Sequence, residues 1–266
     1  MPKSDKIRHF GNQSYEKLRK ICIKKEQPFV DTFFPPTNQS LFLEQGRSSD
    51  IVWKRPAELH PDPHLFMEGA SPNNVTQGIL GNCWFVSACS ALTHNLKLLA
   101  QVIPNVDDQE WSTNHPYAGI FRFRFWRFGK WVEVVIDDLL PTRDGKLLFA
   151  RSKTPNEFWS ALLEKAFAKL YGCYENLVGG HLSDALQDVS GGVAETLHDP
   201  TDRELKLFNN LKTAFDKGAL IVAAIAARTK EEIEESLDCG LVKGHAYAVS
   251  AVCTIDVSNP QQRSLT

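Results

Sequence analysis

The stretch Gln77-Gly-Ile-Leu-Gly-Asn-Cys-Trp84 carries a cysteine at the point where a glycine-containing turn gives way to an apolar helical pattern. From Phe85 to Leu92, apolar residues recur at the i, i+3, i+4 and i+7 positions, so one face of the predicted helix is buried. A thiol in the first turn of a helix lies at the positive end of the helix dipole, which favours its thiolate. The segment therefore predicts a reactive cysteine, Cys83, at the tip of a core helix.

A histidine near the other end of the sequence, in the run Gly244-His-Ala-Tyr247, supplies a second catalytic candidate. A histidine beside a cysteine can hold a thiolate–imidazolium pair, which makes sulfur nucleophilic near neutral pH. Attack on a peptide carbonyl also needs donors for the oxyanion, and Gln77 can aim its side-chain amide beside the backbone N–H of Cys83. Taken singly, a cysteine at a helix start and a histidine opening a strand are usually buried core residues. Together they predict a cysteine protease with Cys83 as nucleophile, His245 as base and then acid, and Gln77 in the oxyanion hole.

Composition limits the class of protein. The 266 residues, 42% of them hydrophobic, can bury a substantial core in one large or two smaller domains. Thirty Lys and Arg against thirty-two Asp and Glu give a net charge of -2, which argues against nucleic acid or an acidic membrane as the main partner. The first residues, Met1–Lys6, are not an apolar leader, and the longest apolar run, Ala219–Ala227, is too short to span a bilayer. We expect a soluble cytosolic protein without nucleic-acid partners and without an integral membrane segment.

Six cysteines are spread irregularly along the sequence, and no two form a C-x-x-C pair. In a chain of this length they favour reduced thiols over a disulfide framework, and the same spacing argues against zinc. Cys89 shares the helical stripe that follows Cys83, and Cys253 lies in a strand-like run. Both are predicted to be buried packing residues, because free cysteine often behaves as a small hydrophobic side chain.

Three further elements are predicted from local patterns. A short charged helix covers Tyr15–Lys25, within a segment of about forty residues that looks like an arm. Phenylalanine and arginine alternate over Phe121–Phe125 before Gly129-Lys130 and the run Trp131–Ile136, which predicts a β-hairpin. Its arginines are interpreted as a solvent-facing side rather than a nucleic-acid patch, because acidic residues follow on the partner strand. A helix with an apolar stripe is predicted to begin at Asn156, a good N-cap residue.

The pattern of predicted helices and strands changes after Gly191-Gly192. Beyond this point one helix, near Leu205–Phe215, precedes β-rich runs at Ala219–Ala227 and Ala246–Val252. The predicted division is an N-terminal arm (residues 1–40), a first lobe with the cysteine (41–190) and a second lobe with the histidine (191–266). The predicted fold class is α+β, with a helical first lobe and a strand-rich second lobe on either side of a cleft, as expected of papain-like enzymes.

The matching segments of a known family are Gln77–Trp84, Tyr117–Phe121, Trp131–Asp138, Asn156–Ala166, Gly191–Val193 and Lys243–Tyr247. In these motifs, and over most of residues 10 to 253, the chain resembles the protease core of the calpain family of calcium-activated intracellular cysteine proteases. The resemblance implies an N-terminal anchor, a papain-like two-lobed core and protein substrates that are cleaved at limited sites. It identifies no regulatory domain or subunit.

Calcium is the cofactor that the resemblance implies. In calpains each core lobe holds a calcium ion whose binding draws the cysteine and histidine together. The matching first-lobe positions are Met67 and Gly69, through main-chain carbonyls, and Asn74 and Glu157, and oxygen ligands suit such a hard cation. Asn74 stands where calcium-dependent members commonly carry aspartate, so we expect weaker binding. In the alternative interpretation Gly69 is a turn residue and Glu157 a first-turn carboxylate favoured by the helix dipole.

The third member of the catalytic triad is not found. Calpains supply an asparagine from an Asn-Pro-Trp-Gly segment, whereas Asn259-Pro260 is followed here by Gln261-Gln262 and is not assigned to the triad. We therefore expect an incomplete, apparently truncated second lobe with an unpaired sheet edge. We also expect weak or absent activity, because loss of an orienting group can lower turnover by orders of magnitude. The alternative is a non-catalytic fragment that binds calpain substrates or partners through the first lobe.

Overall fold

The structure is a computed structural model that describes residues 7–44, 46–47, 50–67, 75–111, 116–197, 204–229 and 231–254. Within these ranges the α-helices are α1 (Tyr15–Lys25), α2 (Asn38–Leu41), α3 (Pro56–Leu59), α4 (Cys83–Leu92), α5 (Leu96–Val102), α6 (Val106–Gln109), α7 (Trp159–Tyr171), α8 (Leu182–Ser190) and α9 (Glu204–Asp216). The strands are β1 (Arg8–His9), β2 (Val52–Lys54), β3 (Val75–Thr76), β4 (Ile120–Arg127), β5 (Lys130–Asp137), β6 (Leu140–Arg143), β7 (Lys146–Leu147), β8 (Arg151–Ser152), β9 (Val222–Ala224) and β10 (Ala246–Ala248). This mixture confirms the predicted α+β class. None of the described helices is long and apolar enough to cross a membrane.

The predicted hairpin is confirmed as β4 and β5, which pair in antiparallel register from Ile120 opposite Asp137 to Arg127 opposite Lys130. The two residues of its turn, Phe128 and Gly129, both have positive φ angles (51° and 74°), as the tight turns of twisted hairpins require. β1 adds a short parallel pairing to β5. The resulting sheet is the platform on which helices α1, α7 and α8 pack.

Helices α4 and α7 meet the hairpin through stacked aromatic rings. Phe167 of α7 stacks on Phe85 of α4 with ring centroids 3.9 Å apart, and its ring lies 5.2 Å from that of Phe125 in β4. Phe85 and Cys89 are almost fully buried, which confirms the predicted core face of α4 and the packing role of Cys89. The helix that begins with Cys83 is thus fixed in the centre of the core.

The prediction that a helix begins at Asn156 is wrong by three residues, since α7 begins at Trp159. Residues 156–158 stay outside the helix because they pair with the chain at His64: the His64 N–H donates to the Asn156 carbonyl (2.7 Å), and the Phe158 N–H donates to the His64 carbonyl (2.9 Å). The Asn156 side-chain amide donates to the Asp62 carbonyl at 3.1 Å rather than capping the helix. Tertiary pairing here overrides a local capping preference.

The interpretation of the hairpin arginines as solvent-facing is wrong for Arg122, whose relative exposure is only 5%. Helix α1 packs on this side of β4. The Arg122 guanidinium lies 4.3 Å from the centre of the Tyr15 ring, donates to Glu16 Oε1 at 3.0 Å and approaches Glu133 Oε2 at 3.8 Å. The arginine is therefore a buried, paired cation that holds α1 on the sheet.

The segment before residue 40 is anchored in the core. Its helix α1 has the predicted bounds Tyr15–Lys25. Beneath it, the Lys169 ammonium of α7 donates to Asp31 Oδ2 (2.5 Å), to the Val135 carbonyl (2.6 Å) and to the Gln13 side chain. All of these charged groups are buried, so the pairing satisfies them only while the N-terminal segment is in place.

The region after Gly191 has the predicted helix, as α9, but much shorter strands than predicted. β9 and β10 pair antiparallel, with Ala246 opposite Ala224 and Ala248 opposite Val222. Cys253 lies beyond β10 and is exposed, so its prediction as a buried packing residue is wrong. All six cysteines are free thiols. Helix α8 was not predicted from the sequence patterns.

Candidate active site

The cysteine is placed by a turn that accepts only glycine at its first position. A Cβ atom on Gly78 would lie 2.4 Å from backbone atoms of Phe149, and backbone cannot move aside as a side chain can. The N–H of Ile79 donates to the Leu148 carbonyl at 3.3 Å, and Gly81 ends the turn with φ of 71°. The chain is thereby turned directly into α4.

Cys83 is the first residue of α4, and Asn82 is its N-cap. The Asn82 carbonyl accepts the N–H groups of Phe85 (2.9 Å) and Val86 (3.1 Å), so regular helix begins immediately. The thiol is partly exposed, in contrast to the buried residues that follow it in the helix. Position in the first turn and access to solvent are both properties of reactive cysteines.

The structure brings Cys83 next to the chain that carries His245. The Cys83 Sγ lies 3.8 Å from the carbonyl oxygen of Gly244, the residue that directly precedes the histidine. Helix α4 also packs against β10, which begins immediately after His245. The histidine is partly exposed, with its ring edge-on to Tyr247 at a centroid distance of 5.0 Å. The thiol and the histidine segment therefore share one site.

Gln77 directly follows β3, a strand that packs against α4. Its side-chain oxygen Oε1 is buried and has no hydrogen-bond partner among the described residues. A buried amide oxygen without a partner is unfavourable, and native proteins keep such groups mainly where they have a structural or catalytic task. The oxyanion role predicted for Gln77 would use the side-chain N–H groups and not this acceptor oxygen, so that role stays a prediction.

The start of α4 is also fixed from the side of residues 177–180. The Trp84 indole N–H donates to the Leu177 carbonyl at 2.8 Å, and a Cβ on Gly180 would lie 2.4 Å from the indole ring. The N–H of Gly179 donates to the Gly81 carbonyl at 3.3 Å. Glycine at position 180 thus allows the backbone to approach the tryptophan closely.

One polar residue behind the helix start, Glu164, was not predicted as part of the site. Glu164 of α7 is buried, and its carboxylate accepts the Asn82 side-chain amide (Nδ2 to Oε1, 2.7 Å) and the Ala150 N–H (to Oε2, 2.9 Å). Burial raises the pKa of Glu164 to about 7, although both hydrogen bonds lower it. The sequence pattern does indicate that Glu164 is buried, because apolar residues lie three positions before it (Ala161) and three positions after it (Phe167).

Of the four residues implied as calcium ligands, the structure brings Met67 and Glu157 together. The buried Glu157 carboxylate accepts the Met67 N–H (Oε1, 3.0 Å) and the Ser152 hydroxyl (Oε2, 2.5 Å). Because α7 begins at Trp159, Glu157 precedes the first turn, contrary to the alternative interpretation. Gly69 and Asn74 lie outside the described residues.

Within the described part of the chain, no group of three or more His, Cys, Asp or Glu side chains could hold a metal ion. The implied calcium set has two main-chain carbonyls and the side chains of Asn74 and Glu157, so it contains a single residue of these four types. Glu157 fits such a set in one respect, since each of its oxygens accepts one hydrogen bond and keeps a further lone pair.

Comparison with known proteins gives a consistent result. The model of the calpain family cysteine proteases matches residues 29–265. Calpain-5 of Caenorhabditis elegans is 88% identical over 273 aligned positions, which cover 100% of this chain and 42% of the relative. Calpain-5 of Mus musculus is 46% identical over 253 positions (91% and 39%), and the Calpain-2 catalytic subunit of Rattus norvegicus is 43% identical over 259 (95% and 36%). The chain thus spans about two fifths of the length of these relatives.

Proposed function

The chain belongs to the calpain family of cysteine proteases, and from that premise we propose that it carries the reacting groups of a cysteine endopeptidase, with Cys83 as nucleophile and His245 as its proton acceptor. The observation that carries this proposal is the 3.8 Å contact between Cys83 Sγ and the Gly244 carbonyl. The Cys83 thiol at the start of α4 thus contacts the residue that directly precedes His245. The positive end of the α4 dipole then stabilises the Cys83 thiolate.

The reaction follows from these positions. His245 takes the thiol proton, and the Cys83 thiolate attacks the carbonyl carbon of the scissile peptide bond. The backbone N–H of Cys83 and the Gln77 amide donate to the oxyanion that forms. As the tetrahedral intermediate collapses, the C–N bond breaks and His245 gives its proton to the leaving amine. Water, deprotonated by the same histidine, then hydrolyses the thioester and frees Cys83.

Proteins cleaved at limited sites are the proposed substrates, and a reducing compartment such as the cytosol is the proposed location. The mechanism requires Cys83 as a free thiol, and all six cysteines are free in the structure. The division into a first lobe (41–190) and a second lobe (191–266) also forms part of the proposal, with the reacting pair at their junction.

Calcium is the proposed cofactor of the first lobe. Glu157 would supply a carboxylate, and Met67, Gly69 and Asn74 would supply the remaining protein oxygens. A calcium ion bound there would neutralise the buried Glu157 charge and join Met67 to the segment that leads into α7. Support comes from the buried, hydrogen-bonded state of Glu157 and its contact with Met67.

The nucleophile is tested by alkylation with iodoacetamide at pH 6.5, with each cysteine followed by mass spectrometry. Cys239 and Cys253 are exposed and serve as internal references. If Cys83 forms an ion pair with His245, it should react at least about tenfold faster than either reference, since only the thiolate reacts. His245→Ala should remove this difference. Equal rates for the three thiols would overturn the proposal and favour the non-catalytic fragment.

Peptide-bond cleavage is tested separately with an unfolded protein such as casein, and Cys83→Ser is the control.

The calcium proposal is tested by thermal unfolding, since a ligand that binds only the folded state raises Tm. Calcium should raise Tm for the wild-type chain but not for Glu157→Gln. Glu133→Gln, a substitution of another buried glutamate, is the matched control and should keep the response. An equal calcium response in Glu157→Gln would exclude Glu157 as a ligand.

A further inference from the structure

One buried carboxylate connects the two segments that carry the oxyanion donors. Glu164 accepts the Asn82 amide at 2.7 Å through one oxygen and the Ala150 N–H at 2.9 Å through the other. Asn82 is the N-cap of α4 and directly precedes Cys83. The first contact therefore acts on the backbone whose N–H at Cys83 faces the oxyanion in the proposed mechanism.

The second contact acts on the other donor. Ala150 directly follows Phe149, whose backbone lies so close to Gly78 that a Cβ there would be 2.4 Å away. The neighbouring Ile79 N–H donates to the Leu148 carbonyl at 3.3 Å. Residues 148–150 therefore form the support of the turn that begins with Gln77. By accepting the Ala150 N–H, the Glu164 carboxylate fixes residues 148–150 relative to the start of α4.

We propose, on the basis of the proposed protease function, that Glu164 is a positioning residue that sets the Gln77 amide and the Cys83 backbone N–H at the spacing an oxyanion requires. Glu164 touches no reacting atom and acts through Asn82 and Ala150. Its two hydrogen bonds are strongest when the carboxylate is ionised, because charge-assisted hydrogen bonds are about twice as strong as neutral ones. A protonated Glu164 has a hydroxyl in place of one acceptor, so the bridge weakens on protonation.

The groups that surround Glu164 do not prevent its protonation near neutral pH. Cys89 of α4 and Tyr174 of the 3-10 helix at 174–177 are the titratable neighbours, and each is buried. The adjacent Lys165 turns its ammonium to Asp137 and to the Leu139 carbonyl (2.6 Å) instead. No ion pair of the described residues involves Glu164. Burial raises its pKa to about 7, so both forms are populated near pH 7.

The positioning itself is tested by amide hydrogen exchange in the folded chain. In Glu164→Gln, peptides that cover residues 77–86 and 148–151 should both exchange faster than in the wild type. The control Glu133→Gln replaces a buried glutamate of β5 and should change neither peptide. Faster exchange at residues 148–151 alone, or at neither segment, would overturn the bridge. If Glu164→Gln does not fold, Asn82→Ala removes one of the two contacts, and faster exchange is then expected in residues 77–86.

The catalytic consequence is tested by comparing two reactions of Cys83. Acylation by p-nitrophenyl acetate forms a C–S bond and expels p-nitrophenolate through an oxyanion, whereas alkylation by iodoacetamide forms no oxyanion. Glu164→Gln should slow acylation about tenfold or more while alkylation changes little. The wild-type ratio of acylation to alkylation should also rise through pH 7, and the ratio for Glu164→Gln should not.

Equal slowing of both reactions, or a pH-dependent ratio that persists in Glu164→Gln, would overturn the role of Glu164 in positioning the donors. A wild-type Cys83 that reacts no faster than Cys239 and Cys253 would instead sink the proposed function. The exchange experiment would still decide the structural bridge in that case, so the two failures are distinguishable.

Discussion

The buried state of Glu164 predicts how the stability of the protein changes with pH. Burial raises the pKa of this carboxyl from 4.5 to about 7 in the folded protein. The folded state therefore keeps a proton that the unfolded chain releases between these values, so this group's contribution is fully present below pH 4.5 and is lost as pH rises through 7. A shift of this size corresponds to a loss of about 3 kcal/mol of unfolding free energy.

The substitution Glu164→Gln removes this titration while nearly preserving side-chain volume. Urea unfolding followed by tryptophan fluorescence, at intervals from pH 4.5 to 8.5, gives the free energy of unfolding for each protein. Subtraction of the wild-type curve cancels the other titrating groups. The difference should shift by about 3 kcal/mol in favour of the glutamine variant as pH rises across this range.

A companion variant tests the cause of the shift. The hydrogen bond from Asn82 lowers the pKa of Glu164, so its removal in Asn82→Ala should raise that pKa further. The loss of stability with rising pH should then be larger than in the wild type. A flat difference curve for Glu164→Gln, within about 0.5 kcal/mol, would show that the buried carboxyl does not titrate as reasoned here.

Three other outcomes are expected. Gly78→Ala should lower the free energy of unfolding by about 1–3 kcal/mol, measured in urea, because its methyl group meets the Phe149 backbone; unchanged stability would contradict the close approach. Trp84→Phe should lower it by about 2 kcal/mol, because the Leu177 carbonyl loses its indole donor, and a loss below about 0.5 kcal/mol would argue against that hydrogen bond. Cys89 should resist iodoacetamide at pH 8 in the folded protein and react in urea, because burial raises the pKa of its thiol; rapid labelling of folded protein would contradict its burial.

The features that the sequence predicted well depend on near neighbours in the chain. The helix after Cys83 follows from the apolar stripe between Phe85 and Leu92. The hairpin follows from the alternation over Phe121–Phe125, although its turn is at Phe128-Gly129 and not at the predicted Gly129-Lys130. Both patterns are complete within a short window, so no distant contact is needed to interpret them. The position of a thiol at a helix start was therefore predictable, and it is where the structure places Cys83.

The features that the sequence analysis missed depend on contacts between distant residues. Arg122 is buried because α1 covers it, with Glu16 lying 106 residues away in the chain. Glu164 meets Asn82 across 82 residues, so nothing local connects the glutamate to the helix start. Asn156 would cap a helix in isolation, but pairing with the segment at His64 keeps it outside α7. In each case packing decided between local alternatives of similar energy.

The N-terminal segment contributes to the stability of the folded chain because it pairs with the Lys169 ammonium. Two of its three acceptors, Gln13 and Asp31, come from that segment. A protease nick or a deletion that releases these residues would leave the buried Lys169 ammonium without the Asp31 carboxylate, although the Val135 carbonyl would still accept from it, at a cost of about 3–5 kcal/mol. Removal of this segment for expression or crystallisation would thus remove a structural counter-ion and destabilise the fold.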